Sequence, residues 1–354
     1  MNIRKYTKNC TLKQGVKDNM RNDNIDDAKA IAIYLMVLLH TGMKNDYVSN
    51  VVTSFHMPLS FIVSGMFFKF NRPLLENINS IFRKLLVPYL LFSIISLSTC
   101  WIAPYLHPDL YNDIQGLEIF KEAIIGVFFW VGIVSPNSFL PNGALWFLLA
   151  LIIVKMSCSV IAAMVKKKIL VAIILSIAGL VGMSLLHQTN YYNSASACMA
   201  MPFFALGFYL RQDGGQIIYK TWFLIILTAW VLLLSPLNGY ISMMGLEYGR
   251  SLPAFYVNGV VGTVFCIVLS STWKFPSIIH EIGRNSIVVL GLHHIPLYFF
   301  RFVGISLMGE DMLYSPWICV PASLLSVLAC LGVARIIESK IPFVLGRNNK
   351  VRNE

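Results

Sequence analysis

Long hydrophobic runs alternate with short polar linkers along almost the whole chain. Runs of about 20 apolar residues are typical of helices that cross the hydrocarbon core of a lipid bilayer. The pattern therefore predicts an all-α, polytopic integral membrane protein with about ten transmembrane helices. The predicted spans are 27–44, 51–70, 85–103, 144–165, 168–187, 196–210, 220–236, 252–271, 285–306 and 316–337.

The distribution of Lys and Arg predicts the orientation of these helices. Cytoplasmic segments of membrane proteins carry an excess of both residues. A further apolar run, 119–134, fits this rule only if it lies in the outer interface without crossing. Both termini are then cytoplasmic, with a membrane domain at 25–346, a basic extension at 1–24 and a short tail at 347–354. Of the 28 Lys and Arg, all lie inside except Lys44, Lys121, Lys155, Arg250 and Arg301.

Composition supports a membrane protein and argues against other classes. Hydrophobic residues make up 56% of the chain and charged residues 13%, whereas soluble domains have about 45–50% and about 25%. The net charge of +11 is explained by membrane topology, so no nucleic-acid partner is expected. The polar, basic start of the chain predicts no cleavable signal peptide. The seven cysteines form no CxxC pair and are expected in the core.

The first predicted span carries a cation and an imidazole on one face. Ten apolar or aromatic residues separate Lys29 from His40. Eleven helical steps make about three turns, so the two side chains share a face and lie about 16 Å apart along the axis. An ionisable side chain within lipid is costly, so His40 near mid-depth is a functional candidate. The alternative is a hydrogen-bonded core histidine.

Two other spans are expected to bring imidazoles to a similar depth. These are His56 in the second span and the pair His293 and His294 in span 285–306. Adjacent helical residues point about 100° apart, so only one of the pair is expected to face a polar interior. Three histidines could bind zinc, but no helix supplies an i, i+3 or i, i+4 pair. We therefore predict no metal, and a proton relay or general base instead.

Several polar positions are candidates for binding. Basic residues at the predicted inner side are explained most simply as topology markers, but they would also suit a phosphorylated, elongated cosubstrate. Ser64-Gly65 offers a surface where a helix or a ligand can approach the backbone. The outer segments 104–143 and 237–251 either connect helices or receive a bulky polar substrate. Lys155 in the middle of a span has no explanation. The basic rim consists of Lys29, Arg72, Arg83, Lys84 and Arg284.

Six motifs occur in a fixed order along the chain. They are IDDAKAIAIYLMVLLH at 25–40, FHMPLSFIVSG at 55–65, RKLLVPY at 83–89, NGALWFLLAL at 142–151, GRNSIVVLGLH at 283–293 and IPFVLG at 341–346. With these motifs the chain resembles the membrane acyltransferase-3 family, and within it the fucose 4-O-acetylase-like group, over residues 22 to 347.

The resemblance implies transfer of an acyl group, usually acetyl, from cytoplasmic acetyl-CoA. The acceptor would be a hydroxyl of a surface or lipid-linked glycan at the outer face of the cell (inner) membrane. It assigns the family's essential histidine to His40 and its basic partner to Lys29, where many relatives have arginine. Lysine keeps the charge but loses the bidentate geometry of the guanidinium. His40 would act as general base or as a transiently acetylated nucleophile, and the sequence does not separate the two.

The predicted site residues fall into three groups. The catalytic candidates are His40, His56 and His293. Those for coenzyme A are Lys29, Ser64, Gly65, Arg83, Lys84 and Arg284. Those for the acceptor are Asn142, Trp146, Glu247 and Tyr248, with the Trp146 indole or the Ser64-Gly65 amides as candidate oxyanion donors.

Two other functions compete with this prediction. Histidines within the membrane also make proton relays, so a proton-coupled transporter or flippase of a glycan or small polar solute is the main alternative. The sequence lacks the inverted repeats and paired broken helices typical of transporters. A structural subunit would leave the polar residues without a role. The sequence does not specify the sugar, its hydroxyl, the length of the acyl group or the oligomeric state.

Overall fold

The structure is a computed structural model that describes residues 23–99, 121, 123–127, 142–186, 193–210, 221–308 and 314–347. Within these ranges the regular structure is helical, apart from one isolated bridge between Ser242 and Glu247. The prediction of an all-α protein is thus confirmed. The predictions for the extension 1–22, for loop 104–118 and for most of 119–134 lie outside the described residues.

In the first half of the described chain eight α-helices have assigned bounds, and residues 121 and 123–127 are helical as well. A π-helical turn, Phe82–Leu86, joins the fourth to the fifth, and a short 3-10 turn, Gly143–Leu145, precedes the sixth. The helices are α1 (Asp23–His40), α2 (Asp46–Thr53), α3 (His56–Met66), α4 (Leu74–Ile81), α5 (Val87–Leu97), α6 (Trp146–Met164), α7 (Lys168–Leu186) and α8 (Ser194–Leu210).

The second half contains six further α-helices. The ninth continues through a π-helical turn, Trp230–Leu234, and a 3-10 turn, Ser235–Asn238. A last 3-10 turn, Pro342–Leu345, follows the final helix. The helices are α9 (Thr221–Ala229), α10 (Leu252–Thr272), α11 (Ser277–Arg284), α12 (Ser286–Leu292), α13 (His294–Met308) and α14 (Pro316–Lys340).

Five helices of the described residues are long and apolar enough to cross a membrane. The bent pair α12 and α13 makes a sixth candidate. Two shorter apolar helices, Ser194–Leu210 and Trp222–Asn238, lie in two of the other predicted spans. The chain is a multi-pass membrane protein, while the count of ten and the placement of both termini stay predictions. The five are Leu74–Leu97, Gly143–Met164, Lys168–Leu186, Leu252–Thr272 and Pro316–Lys340.

Helices α3 and α8 pack with their backbones in direct contact. A side chain at Gly65 would collide with the Phe204 carbonyl oxygen, and one at Gly207 with the Ile62 carbonyl oxygen. Glycine at both positions lets the helices approach closely, as small residues do between membrane helices. The face of Gly65 predicted to receive a ligand is therefore filled by α8. Helix packing, the alternative considered for Ser64-Gly65, accounts for Gly65.

Candidate active site

Helix α1 ends at His40 because a glycine follows two residues later. Gly42 has φ +80, a left-handed conformation that glycine adopts without steric cost. The backbone N–H groups of Thr41 and Gly42 donate to the Leu38 and Leu39 carbonyls, each at 3.2 Å. This ending places the imidazole of His40 at the carboxyl end of the helix.

The predicted span 285–306 is broken at its two histidines. Pro296 has no backbone N–H, and its ring clashes with the carbonyl four residues earlier, at Leu292. The axis bends by 44° between Ser286–Leu292 and His294–Leu307. His293 terminates α12, with its backbone N–H donating to the Val289 carbonyl at 3.0 Å. His293 thus also lies at the carboxyl end of a helix.

The two imidazoles are in direct contact across the two helices. The His40 Nδ1 atom lies 2.6 Å from the His293 Nε2 atom, with ring centroids 4.9 Å apart. The His293 Nδ1 atom lies 3.0 Å from both the Val289 and Leu290 carbonyl oxygens. A carbonyl only accepts, so the proton of neutral His293 resides on Nδ1. Its Nε2 therefore accepts from the Nδ1–H of His40, and the lone pair of His40 is left on Nε2.

The helix ends around this pair favour a positive charge on it. The last four carbonyls of a helix lack partners within it and give its carboxyl end a partial negative charge. His40 terminates α1 and His293 terminates α12. An imidazolium formed on either ring would be stabilised by both helix ends, and the described residues that line the cavity include no carboxylate.

A cavity of about 230 Å³ opens beside the pair. Its lining includes His40, His293, His294, Asn142, Arg301 and Tyr314. The expectation that only one of His293 and His294 faces a polar interior is wrong, because both line the cavity. The His293 backbone keeps helical dihedral angles, φ −56 and ψ −29, and the two rings lie 6.1 Å apart between centroids at 85° to each other.

Asn142 fixes the position of α12 beside the cavity. It is 2% exposed, and its Nδ2 group donates to the Gly291 carbonyl at 2.8 Å. His293 and Asn142 together satisfy carbonyls that end α12, so the side chain that orients His40 is itself held in place. Of the predicted acceptor residues, Asn142 is the one that the described cavity lining contains.

Other predicted catalytic and acceptor residues lie elsewhere. His56 begins α3, is buried, and donates from Nδ1 to the Val52 carbonyl at 2.9 Å. Trp146 packs in the core, with its ring 6.4 Å from that of Phe61. Glu247 and Tyr248 are exposed in and just after the Ser242–Glu247 bridge. None of these four belongs to the described lining of the cavity, and their predicted roles stay predictions.

The basic residues predicted for the cosubstrate lie apart from the imidazole pair. Lys29 forms an ion pair with Asp26, with 2.6 Å between Nζ and Oδ1. Arg83 and Lys84 are exposed in the π-helical turn between α4 and α5, and Arg284 is exposed at the end of α11. None is part of the cavity lining that the described residues form. Their binding of a cosubstrate stays a prediction.

A second histidine contact lies near the start of α1 and was missed from the sequence. His280 Nδ1 lies 2.5 Å from the Asp27 carboxylate. The next residue, Glu281, accepts two hydrogen bonds of 2.7 Å from the Arg335 guanidinium, which holds the pKa of Glu281 below its ordinary value of 4.5. A signal was present, because Asp27 and His40 have the same 13-residue spacing as His280 and His293.

The described residues contain no group of three or more His, Cys, Asp or Glu placed to hold a metal ion. The fold and the site together define a multi-pass helical membrane protein with two hydrogen-bonded imidazoles at the wall of a cavity.

Comparison with known families gives the class of reaction. The chain belongs to the acyltransferase-3 family, since the family model described as an acyltransferase domain matches residues 22–335. It is thus a membrane acyltransferase, whereas the fucose 4-O-acetylase-like subgroup stays a prediction. The comparison with curated proteins gives no match, and neither does the comparison with solved structures.

Proposed function

We propose that this protein transfers an acetyl group from cytoplasmic acetyl-CoA to a hydroxyl of a surface or lipid-linked glycan at the outer side of the cell (inner) membrane. The observation that carries the proposal is the contact of 2.6 Å between His40 Nδ1 and His293 Nε2. It leaves the basic nitrogen of His40 available at the cavity. A general base with this geometry is what ester formation from a thioester requires.

In the proposed reaction His40 acts on the acceptor. Its Nε2 takes the proton of the acceptor hydroxyl while that oxygen attacks the thioester carbonyl carbon. The new C–O bond forms, the C–S bond breaks, and the coenzyme A thiolate leaves and is protonated. His293 accepts the Nδ1–H of His40 throughout, so the imidazole keeps its orientation and the positive charge is shared.

The same nitrogen could instead attack the thioester itself. His40 would then carry the acetyl group before the acceptor arrives, and coenzyme A would leave first. Ping-pong kinetics are the signature of that order, and a ternary-complex pattern is the signature of direct transfer. Both orders require an unprotonated His40 Nε2.

The distance along α1 suits coenzyme A as the donor. Lys29 and His40 are eleven residues apart on one helix, which corresponds to about 16 Å along the axis. We propose that Lys29, Arg83, Lys84 and Arg284 attract the phosphates. The long, thin pantetheine arm would then carry the thioester towards His40.

The test uses purified protein in detergent micelles with acetyl-CoA and extracted surface glycan. Free thiol measures donor cleavage, and mass spectrometry of the glycan measures the ester. His40→Gln should lower both rates by about a hundredfold or more, the usual range for loss of a general base. A transporter or flippase would release no thiol even as wild type.

His280→Gln is the matched control, because it removes the other histidine contact of α1. Its rate per folded molecule should stay within about threefold of wild type, the range of effects without a lost chemical role. Normal acetylation by His40→Gln, with the variant present in the membrane at wild-type amounts, would refute the assignment.

A further inference from the structure

His294 differs from the other histidines in its hydrogen bonding. The structure describes five histidines. Neither ring nitrogen of His294 has a hydrogen-bond partner among the described residues, although the residue is only 6% exposed. A buried polar group without a partner is costly, and in native structures such a group usually meets water or a ligand. The other four, each with a partner for a ring nitrogen, are His40, His56, His280 and His293.

Neighbouring aromatic rings hold His294 beside the imidazole pair. Its ring centroid lies 6.1 Å from that of His293 and 5.7 Å from that of Tyr298, and both contacts are edge-on. His294 also lines the same cavity as His40 and His293. Packing therefore places the ring next to the proposed reaction centre, while its hydrogen-bonding capacity is not used by the described residues.

The proposed transfer requires a hydrogen-bond donor in addition to the base. Attack on a thioester moves an electron pair of the C=O bond onto oxygen, and an N–H directed at this oxyanion stabilises the transition state. The donors predicted from the sequence were the Trp146 indole and the Ser64-Gly65 amides. Both are outside the cavity lining that the described residues form. His294 lies in that lining and has an N–H without a partner.

We propose that His294 donates its ring N–H to the oxyanion that forms when the acceptor hydroxyl attacks acetyl-CoA. This inference rests on the proposed function and adds a catalytic residue to the same site. A neutral imidazole carries one N–H, and that proton stays on His294 throughout. When the C–S bond breaks, the electron pair returns to the C=O bond. His40 then gives the proton taken from the acceptor to the departing thiolate.

The same donor serves the alternative order of reaction. If His40 is acetylated first, its Nε2 attacks the thioester carbonyl, and the electron pair again moves onto the carbonyl oxygen. The acetyl group then passes to the acceptor through a second oxyanion at the same position. The role of His294 is therefore independent of whether transfer is direct or passes through acetyl-His40.

The competing explanation is that His294 only fills space between His293 and Tyr298. Two substitutions separate the two roles. His294→Phe keeps a flat ring of similar size but has no N–H, whereas His294→Gln loses the ring but keeps an amide N–H donor. A packing role predicts that the Phe variant is the more active of the two, and a donor role predicts that the Gln variant is.

The test measures thiol release and glycan acetylation by the purified full-length protein in detergent. His294→Phe should lower kcat by about a hundredfold or more, the usual effect of losing one oxyanion donor. Its KM for acetyl-CoA should stay within about twofold of wild type, because the contact is made in the transition state and not in the ground state. His294→Gln should be at least about tenfold more active than His294→Phe.

A change in the substrate connects this effect to the carbonyl oxygen. Acetyl-dithio-CoA carries sulfur in place of that oxygen, and sulfur is a weak hydrogen-bond acceptor. The measured quantity is the ratio of kcat with acetyl-CoA to kcat with this analogue. The ratio should be at least about tenfold larger in wild type than in His294→Phe, because the variant has already lost the contact.

Three results would overturn the proposal. His294→Phe keeps the kcat of wild type, His294→Phe is at least as active as His294→Gln, or the ratio for the two substrates is the same in wild type and His294→Phe. If His294→Phe does not accumulate in the membrane, His294→Ala replaces it in each measurement, since alanine also lacks the N–H and adds no bulk.

Failure of this inference is distinguishable from failure of the proposed function. Thiol release by wild type that is lost in His40→Gln but kept in His294→Phe would refute the role of His294 alone. Absence of thiol release by wild type would refute the proposed function and this inference together.

Discussion

Helix α1 makes two histidine contacts with the same neighbouring segment, and the two contacts join different kinds of side chain. Asp27 pairs with His280 and His40 with His293, and both pairs are 253 residues apart. The equal separation means that α1 and the segment α11–α12 run parallel. One contact joins an imidazole to a carboxylate, whereas the other joins two imidazoles.

The difference is the basis for proposing that one contact is reactive and the other structural. The Asp27 side chain is 2% exposed and satisfied by His280, so the contact holds two helices together. In the other contact the proton on His293 Nδ1 is fixed by backbone carbonyls, and His40 keeps a basic nitrogen at a cavity. At the imidazole pair, the carboxyl ends of α1 and α12 supply the negative potential that the Asp27 carboxylate supplies to His280.

The largest effect within this comparison is expected from His293→Ala. His40 would lose the acceptor for its Nδ1–H and could adopt the other tautomer. We expect kcat to fall between about tenfold and a thousandfold, with KM changed by less than about twofold, because orientation of the base is lost and substrate binding is not.

His293→Gln is the conservative control for that measurement. Its amide oxygen can accept the same hydrogen bond, so it should recover part of the lost kcat. Wild-type kcat in His293→Ala, or equal loss in both variants together with a raised KM, would contradict the positioning role.

An effect of intermediate size is expected from Asp27→Asn at the other contact. Loss of a buried charged hydrogen-bond partner should lower the free energy of unfolding by about 1–3 kcal/mol. The rate of acetyl transfer per folded molecule should be unchanged. Denaturant unfolding in micelles gives the first quantity, and titrated thiol release gives the second.

A double-mutant cycle with His280→Gln sharpens this result. If the two side chains act on each other, the double variant should be about as unstable as either single variant. Additive losses in the free energy of unfolding would show that the contact itself contributes nothing to stability. A lower rate of acetyl transfer in either variant would contradict a purely structural role for this contact.

The smallest effect is expected beside His280, at the pair of the partly buried Glu281 and the exposed Arg335. Because the pKa of Glu281 is lowered in the folded state, its stabilising contribution is complete above its unfolded value and disappears as the pH falls through the folded value. Glu281→Gln should lower Tm at pH 7 by no more than about 2 °C. The difference should shrink as the pH falls below the ordinary value of 4.5 and vanish once the folded-state carboxyl is protonated, and a difference that does not shrink in acid would contradict the electrostatic origin.

The sequence predicts much of the fold and selects both His40 and His293 as catalytic candidates, but not the contact between them. The apolar runs predict helices, and the spacing of Lys29 and His40 selects α1 as the helix that carries a catalytic candidate. It does not predict that His40 meets His293, because contact between distant helices depends on packing, such as that at Gly65 and Gly207. The break at His293 follows from Pro296 and was predictable, but periodicity alone treats the segment as one helix.

We infer that His293 holds His40 as the tautomer with a proton on Nδ1 and a lone pair on Nε2. Solid-state ¹⁵N NMR of histidine-labelled protein in lipid measures this directly, with the His40 signals assigned by their loss in His40→Gln. We expect a protonated Nδ1 and an unprotonated Nε2 for His40, and loss of that preference in His293→Ala. A protonated Nε2 on neutral His40 in the wild type would contradict it.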